Sequence, residues 1–233
     1  MVFFYNEGMI RFYLLRHGQT QFNLQEIVQG HNDSPLTELG IYQARCAGYG
    51  ARNILFNEAY CGLVQRQYDT AVSFLSDNLH PCAIEEDYHF NEMGYGRYEG
   101  RSYYEMLNPL YEDLKEPYNS YDGLYKFYDD MTIAAHLEDK DESGSFEGSE
   151  HTYLRFREGL DLLGREKKGN ILISTSSFGI CTLISHLFPD FEKGRLVENA
   201  SLTVLKYEED IYTLEDYNDI SFRHIGEEHY RNL

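Results

Sequence analysis

Two short apolar runs lie far apart in the chain, and each stops abruptly on polar residues. Ile10-Arg11-Phe12-Tyr13-Leu14-Leu15 ends at Arg16, with Gly18 just beyond. Ile171-Leu172-Ile173-Ser174-Thr175 follows a Gly169-Asn170 turn and ends at Ser176-Ser177. Runs of this kind read as buried strands that deliver loops. Helical patterns lie between and after them. Thr37 is placed to cap a helix carrying Leu39, Ala44, Ala47 and Gly48, and a second helix is expected from about Arg66 to Leu79, with Ala71, Phe74, Leu75 and Leu79 as its apolar face. Tyr153, Phe156, Leu160 and Leu163 share a helical spacing, as do Ile180, Leu183, Ile184 and Leu187. Ser201–Tyr207 and Ile211–Tyr217 read as paired strands joined near Glu209-Asp210. This alternation predicts an α/β fold, a three-layer α/β/α arrangement around a mostly parallel sheet. Ligands of such sheets sit beyond the carboxyl ends of the strands. The chemistry is therefore expected at Arg16-His17 and at Thr175-Ser176.

A chain of 233 residues is expected to form a single α/β domain, 1–233, interrupted by an insertion. The insertion is residues 101–150, which hold seven of the 21 tyrosines and 13 acidic against four basic residues. We read it as a partly helical acidic cap whose end, Glu138 to Ser145, is a flexible segment. The alternative reading of this stretch is a solvated acidic surface with no part in substrate choice. Met1 to Gly8 precedes the first strand and is expected to be a dispensable extension.

The chain carries 39 acidic and 20 basic residues, a formal charge of −19. Such a chain cannot gain by displacing cations from nucleic acid, nor bind an anionic membrane surface. No apolar run approaches the roughly 20 residues of a membrane helix, and no basic and apolar leader opens the chain. Four scattered cysteines without close pairing fit reduced thiols and a cytoplasmic location. No histidines or carboxylates have metal-ligand spacing, and no metal or other cofactor is expected.

An imidazole at the end of a buried strand faces the crevice of the sheet. There it can attack phosphorus, while an adjacent guanidinium holds phosphoryl oxygens bidentately. Arg16-His17-Gly18 has this arrangement. The alternative for His17 is a histidine satisfied by backbone carbonyls. Further residues recur in order: Leu15-Arg16-His17-Gly18-Gln19-Thr20 with Asn23, Gln29-Gly30, Asp33-Ser34-Pro35-Leu36-Thr37-Glu38-Leu39-Gly40, Glu92 to Gly100, and Asn199 to Leu205. Together they resemble the histidine phosphatase superfamily, the phosphoglycerate-mutase-like proteins, over most of the chain outside 101–150.

The resemblance implies a phosphoglycerate-mutase-like fold and a set of roles. His17 matches the nucleophile that becomes phosphohistidine, and Glu92 the general acid that protonates the leaving oxygen. Arg16 and Arg66 match phosphate-binding arginines, although Gly62-Leu63 replaces the usual serine-aspartate before Arg66. Asn23 joins the phosphate-binding set. Gly18, Thr20, Gln29, Gly30, His31 and Ser177 are expected to line the pocket, and Glu99 to be structural. The departure is at Ser176, where the family carries a second histidine. A serine there donates a neutral hydrogen bond but brings no charge, and removing one preorganised donor costs on the order of 10²–10³ in rate. His31 is the candidate to compensate in part, whereas His186 lies too far along its helix.

The resulting expectation is a slow phosphomonoester hydrolase taking a small phosphorylated molecule or inorganic phosphate as partner. A pseudoenzyme that binds phosphate or a phospholigand is the alternative, and a phosphoglycerate mutase ranks behind both.

Overall fold

The computed structural model describes residues 9–192 and 196–232. The expected extension at residues 1–8 lies outside them. Six strands form one sheet: β1 Ile10–Arg16, β2 Phe56–Cys61, β3 Ile84–Glu86, β4 Gly169–Thr175, β5 Leu202–Glu208 and β6 Ile211–Asp219. Their order is β3-β2-β4-β1-β5-β6. The pairs β2–β3, β2–β4 and β1–β4 are parallel, while β5 runs antiparallel to both β1 and β6. The mostly parallel α/β sheet read from the sequence is thus the one observed.

Successive side chains of β1 enter opposite cores, as a strand buried on both faces requires. Phe12 and Leu14 pack with Ile171 and Ile173 of β4, against Phe156 and Leu160 of α7 (Ser149–Glu166) and Ile180 and Ile184 of α8 (Ser177–Leu187). Tyr13 and Leu15 pack with Leu172 on the other face, beneath α2 (Glu38–Gly50), α3 (Gln65–Ser76) and α9 (Ser221–Arg231), represented by Ala47, Phe74 and Phe222. Thr37 caps α2 by accepting from the Gly40 amide at 2.9 Å. At a middle value for such side chains, burying Phe12, Leu14 and Leu15 contributes about 2 kcal/mol each.

Two local expectations differ from the structure. The α3 helix stops at Ser76 rather than Leu79, and Leu79 is exposed. The Asn78 amide donates to the carbonyls of Ala51 and Ile54 and turns the chain away from the helix. The stretch expected to be flexible is a closed turn: Asp141 accepts from the amides of Arg97, Ser145 and Phe146 and from the Ser143 hydroxyl. Those four donors also hold its carboxyl down at a pKa of about 2, against the opposing influence of burial.

Between residues 101 and 150 lie three helices, α4 (Tyr103–Leu114), α5 (Tyr121–Leu124) and α6 (Asp130–Asp139). Ser102 and Glu105 form a reciprocal cap at the start of α4. The inner sides of these helices share a hydrophobic cluster with Val28, Met93 and Phe178, namely Met106, Leu110, Leu124, Ile133 and Leu137. The cluster seats this segment over the carboxyl end of the sheet. No helix of the described residues is long and apolar enough to cross a membrane.

Candidate active site

β1 and β4 leave the sheet side by side, with Arg16 paired to Thr175. The next residues, His17 and Ser176, therefore emerge together, and the His17 amide donates to the Thr175 carbonyl at 2.9 Å. On its other side the His17 carbonyl accepts from the Asn199 amide group at 2.9 Å. Thr70 of α3 accepts from the Gly18 amide at 3.0 Å and donates to the Arg66 carbonyl at 2.7 Å. The loop is thus held from three elements before any side chain acts.

His17 is buried, and its Nδ1 lies 2.8 Å from the Gly18 carbonyl oxygen. A carbonyl only accepts, so Nδ1 carries the hydrogen and Nε2 carries the lone pair. Burial pushes the imidazole well below its usual pKa, and the neighbouring charges of Arg66 and Arg16 push the same way. His17 is therefore a neutral imidazole with one fixed tautomer. The arrangement of Nδ1 is the backbone-satisfied one, and it also frees Nε2.

Glu92 is buried opposite. Its Oε1 accepts from the amides of Met93 at 2.9 Å and Gly179 at 2.8 Å, and Oε2 accepts from Phe178 at 3.1 Å. Burial raises its pKa and outweighs those hydrogen bonds and the Arg66 charge, which pull it down. A carboxyl kept protonated to higher pH is what a general acid needs. Arg155 fixes the preceding backbone by donating to the carbonyls of His89, Asn91 and Glu92.

Arg16, His17, Asn23, Gln29, Glu92 and Ser177 share one cavity of about 130 Å³. Arg16 donates to the Val197 carbonyl through Nη1, while among the described residues its Nε has no partner. Burial lowers the Arg16 pKa, with Tyr103 and Glu92 opposing it; arginine as a residue is charged at any ordinary pH.

Other expected residues are placed elsewhere. Arg66 is fully buried but does not line the cavity. Its guanidinium donates to the carbonyls of Asn32 and Gly30, both at 2.7 Å, and to Asp33 at 3.0 Å. It acts on His17 through its field. Ser176 is also fully buried and outside the cavity wall, its Oγ accepting from Gln67 at 2.8 Å.

Gly18, Thr20 and Gly30 belong to the supporting loops rather than the wall. A Cβ on Gly18 would lie 2.3 Å from the Gly40 carbonyl oxygen, Thr20 caps α1 (Gln21–Gln25), and Gly30 serves Arg66. His31 does not line the cavity either. Its side chain is 54% exposed and lies 3.9 Å from Glu147, away from the cavity in which it was expected to act. Glu99 is structural, its carboxylate accepting from the amides of Gly30, His31, Asn32 and Tyr95.

The far wall escaped the sequence reading. Tyr95, Tyr103, Tyr121 and Met106 line it with Asp122. Burial raises the pKa of all three phenols and keeps them as neutral hydrogen-bonding groups. The abundance of tyrosine in 101–150 was the available signal, but composition does not say which tyrosines turn inward. Asn199 was read only as the start of a closing strand, and Gln67 carried no signal. Among the described residues no group of three or more His, Cys, Asp or Glu could hold a metal ion.

The family model described as "Histidine phosphatase superfamily (branch 1)" matches residues 12–220. The chain belongs to the histidine phosphatase superfamily. Similarity to individual members of the superfamily extends to proteins named as phosphatases. "Putative phosphoserine phosphatase 2" of Hydrogenobacter thermophilus is 33% identical over 142 residues, 56% of this chain and 66% of that protein. "Uncharacterized phosphatase PhoE" of Bacillus subtilis is 28% identical over 88% of this chain and 92% of its own length. A solved structure titled as phosphoglycerate mutase from Bacillus anthracis superposes with a TM-score of 0.85 at 28% identity, covering 94% of this chain and 97% of that one. Several other curated relatives, 33–37% identical, are spanned over only 35–48% of their lengths.

Proposed function

We propose that this chain is a phosphomonoester hydrolase working through a phosphohistidine on His17. The observation that carries the reading is the pairing of a neutral imidazole, its Nε2 lone pair freed by the Nδ1 contact to Gly18, with a carboxyl of raised pKa in the same cavity. The Nε2 lone pair forms a bond to phosphorus as the ester P–O bond breaks, and Glu92 gives its proton to the departing oxygen. Water then attacks phosphorus, the P–N bond breaks back to His17, and the Glu92 carboxylate takes the proton of the attacking water. Arg16 holds the phosphoryl oxygens, Asn23 and Ser177 sit within reach of them, and Arg66 adds field.

Residues 101–150 serve in this reading as the cap that receives the alcohol. Tyr95, Tyr103, Tyr121 and Met106 suit a small, uncharged or partly apolar alcohol. Among the described residues that line the cavity, Arg16 is the one cation. The names of phosphatase relatives support hydrolysis.

A second reading, a phosphate- or phospholigand-binding pseudoenzyme, is favoured by the neutral Ser176 in the position where the family carries a histidine. Turnover of an aryl phosphate by the native chain and by His17→Ala, with capture of 32P on His17, separates the two. Turnover lost in His17→Ala supports the hydrolase. Equal rates for the two proteins, with phosphate still bound, support the binding protein.

A further inference from the structure

Gln67 is a fully buried amide on α3, one residue after Arg66, and lines no part of the cavity. Its Nε2 donates to the Ser176 Oγ at 2.8 Å, and its backbone carbonyl accepts from the Ser174 hydroxyl at 2.7 Å. Its Oε1 is buried and, among the described residues, has no hydrogen-bond partner. An orphaned buried acceptor is destabilising, so a role confined to stability does not explain an amide here. Nor does packing, because an apolar side chain of the same shape avoids that cost. Space for the amide comes from Gly62, where a Cβ would stand 2.1 Å from Oε1.

Ser176 has a matching peculiarity. It occupies the N-cap position of α8, yet its side chain makes no capping bond. The hydroxyl instead accepts from Gln67, and among the described residues it has no acceptor for its own proton. An oxygen whose lone pair is engaged by an amide N–H must turn its hydrogen to another side. Ser176 leaves β4 beside His17, the two residues following the paired Arg16 and Thr175 of neighbouring parallel strands.

We propose that Gln67 is a positioning residue for phosphoryl transfer. By holding the Ser176 Oγ through its lone pair, it aims the serine hydroxyl proton at a phosphoryl oxygen on His17, and the two side chains work as one neutral donor unit. The proposal rests on the phosphohistidine reading above. It also implies that Ser176 is no simple vacancy for another residue. A histidine at 176 meets the Gln67 amide, so Ser176→His alone gains little, whereas with Gln67→Ala it gains tenfold or more.

The decisive measurement is the single-turnover rate of 32P-phosphohistidine formation per folded molecule in native protein, Gln67→Met, Ser176→Ala and the double variant. Methionine keeps the shape of glutamine and removes both its donor and its orphaned acceptor. The expected result is a loss of fivefold or more for Gln67→Met, with the double variant within twofold of Ser176→Ala, because Gln67 acts through Ser176. A purely structural amide instead moves the melting temperature and leaves the rate per folded molecule alone. A smaller loss in Gln67→Met, or losses that multiply in the double variant, overturns the proposal. Native protein that forms no phosphohistidine defeats the phosphatase reading itself, and the proposal with it.

Discussion

Replacing Glu92 by glutamine tests the general acid and its setting together. The Oε1 position receives two amide donors, Met93 and Gly179, and Oε2 receives one, Phe178. The glutamine oxygen takes the position with two donors, so its NH2 faces the Phe178 amide, donor against donor. One buried N–H is left unsatisfied at about 1–3 kcal/mol. At roughly 2–4 °C per kcal/mol for a chain of this size, the melting temperature falls by several degrees while the fold survives. The chemical effect is separable from this. Loss of a positioned proton donor costs about 10²–10⁴ in rate when the departing alkoxide is a strong base, and far less when the leaving group needs no proton. The assay is kcat for glycerol-type alkyl phosphates against p-nitrophenyl phosphate, at a temperature where native and variant proteins are both folded. A wide gap between the two substrates in Glu92→Gln, absent in the native chain, is expected. An equal loss on both substrates would falsify the assignment of Glu92 as acid, leaving it a structural carboxylate at the start of α8.

Four further outcomes follow from the same geometry. The depressed pKa of His17 means the folded state binds its proton less readily than the unfolded chain, so stability is complete above the ordinary histidine value near 6.5 and falls as pH drops below it; urea midpoints from pH 8 to 5 should decline less steeply in His17→Asn. Glu92 has the opposite sign, its raised pKa giving stability that is full below the ordinary glutamate value and fades as pH rises above it, so the midpoint of Glu92→Gln should decline less over pH 4 to 7 than that of the native chain. Asp33→Ala leaves the fully buried Arg66 guanidinium with carbonyls alone, and a loss of about 3–5 kcal/mol is expected from denaturant titration; a change below 1 kcal/mol means that the carbonyls suffice. Gly18→Ala drives a Cβ to 2.3 Å from the Gly40 carbonyl oxygen, a rigid backbone atom, and should cost about 1–3 kcal/mol and displace the His17 loop, read as lower kcat at unchanged expression.

The parts legible in the sequence are those written in local patterns. Phe12, Leu14, Ile171 and Ile173 could be read as buried strand positions because the strands carrying them are apolar on both faces. Thr37 was legible as a cap, since its hydroxyl serves an amide three residues on. Arg16, His17 and Glu92 were legible through resemblance and sit around one cavity. By contrast, β2 is the mixed string Phe56-Asn57-Glu58-Ala59-Tyr60-Cys61 and β3 has three residues, so neither shows a period. The α9 helix went unread as well, its one buried residue being Gly226.

By itself, the sequence determined the doubly covered sheet, the strand end at Arg16-His17 that meets the cavity, and the family to which the chain belongs. Those properties follow from hydrophobic period and from contiguous motifs, both short-range. The tertiary structure alone decided which side chains face the pocket. It turned Arg66 toward Asp33 and two carbonyls, left His31 in solvent, and brought Tyr103 and Tyr121 into the cavity that Arg16 lines. It also set Gln67 against Ser176, 109 residues away. A hydrogen bond across that separation leaves no trace in any local pattern, because its partners are neighbours only once α3 has packed against the end of β4.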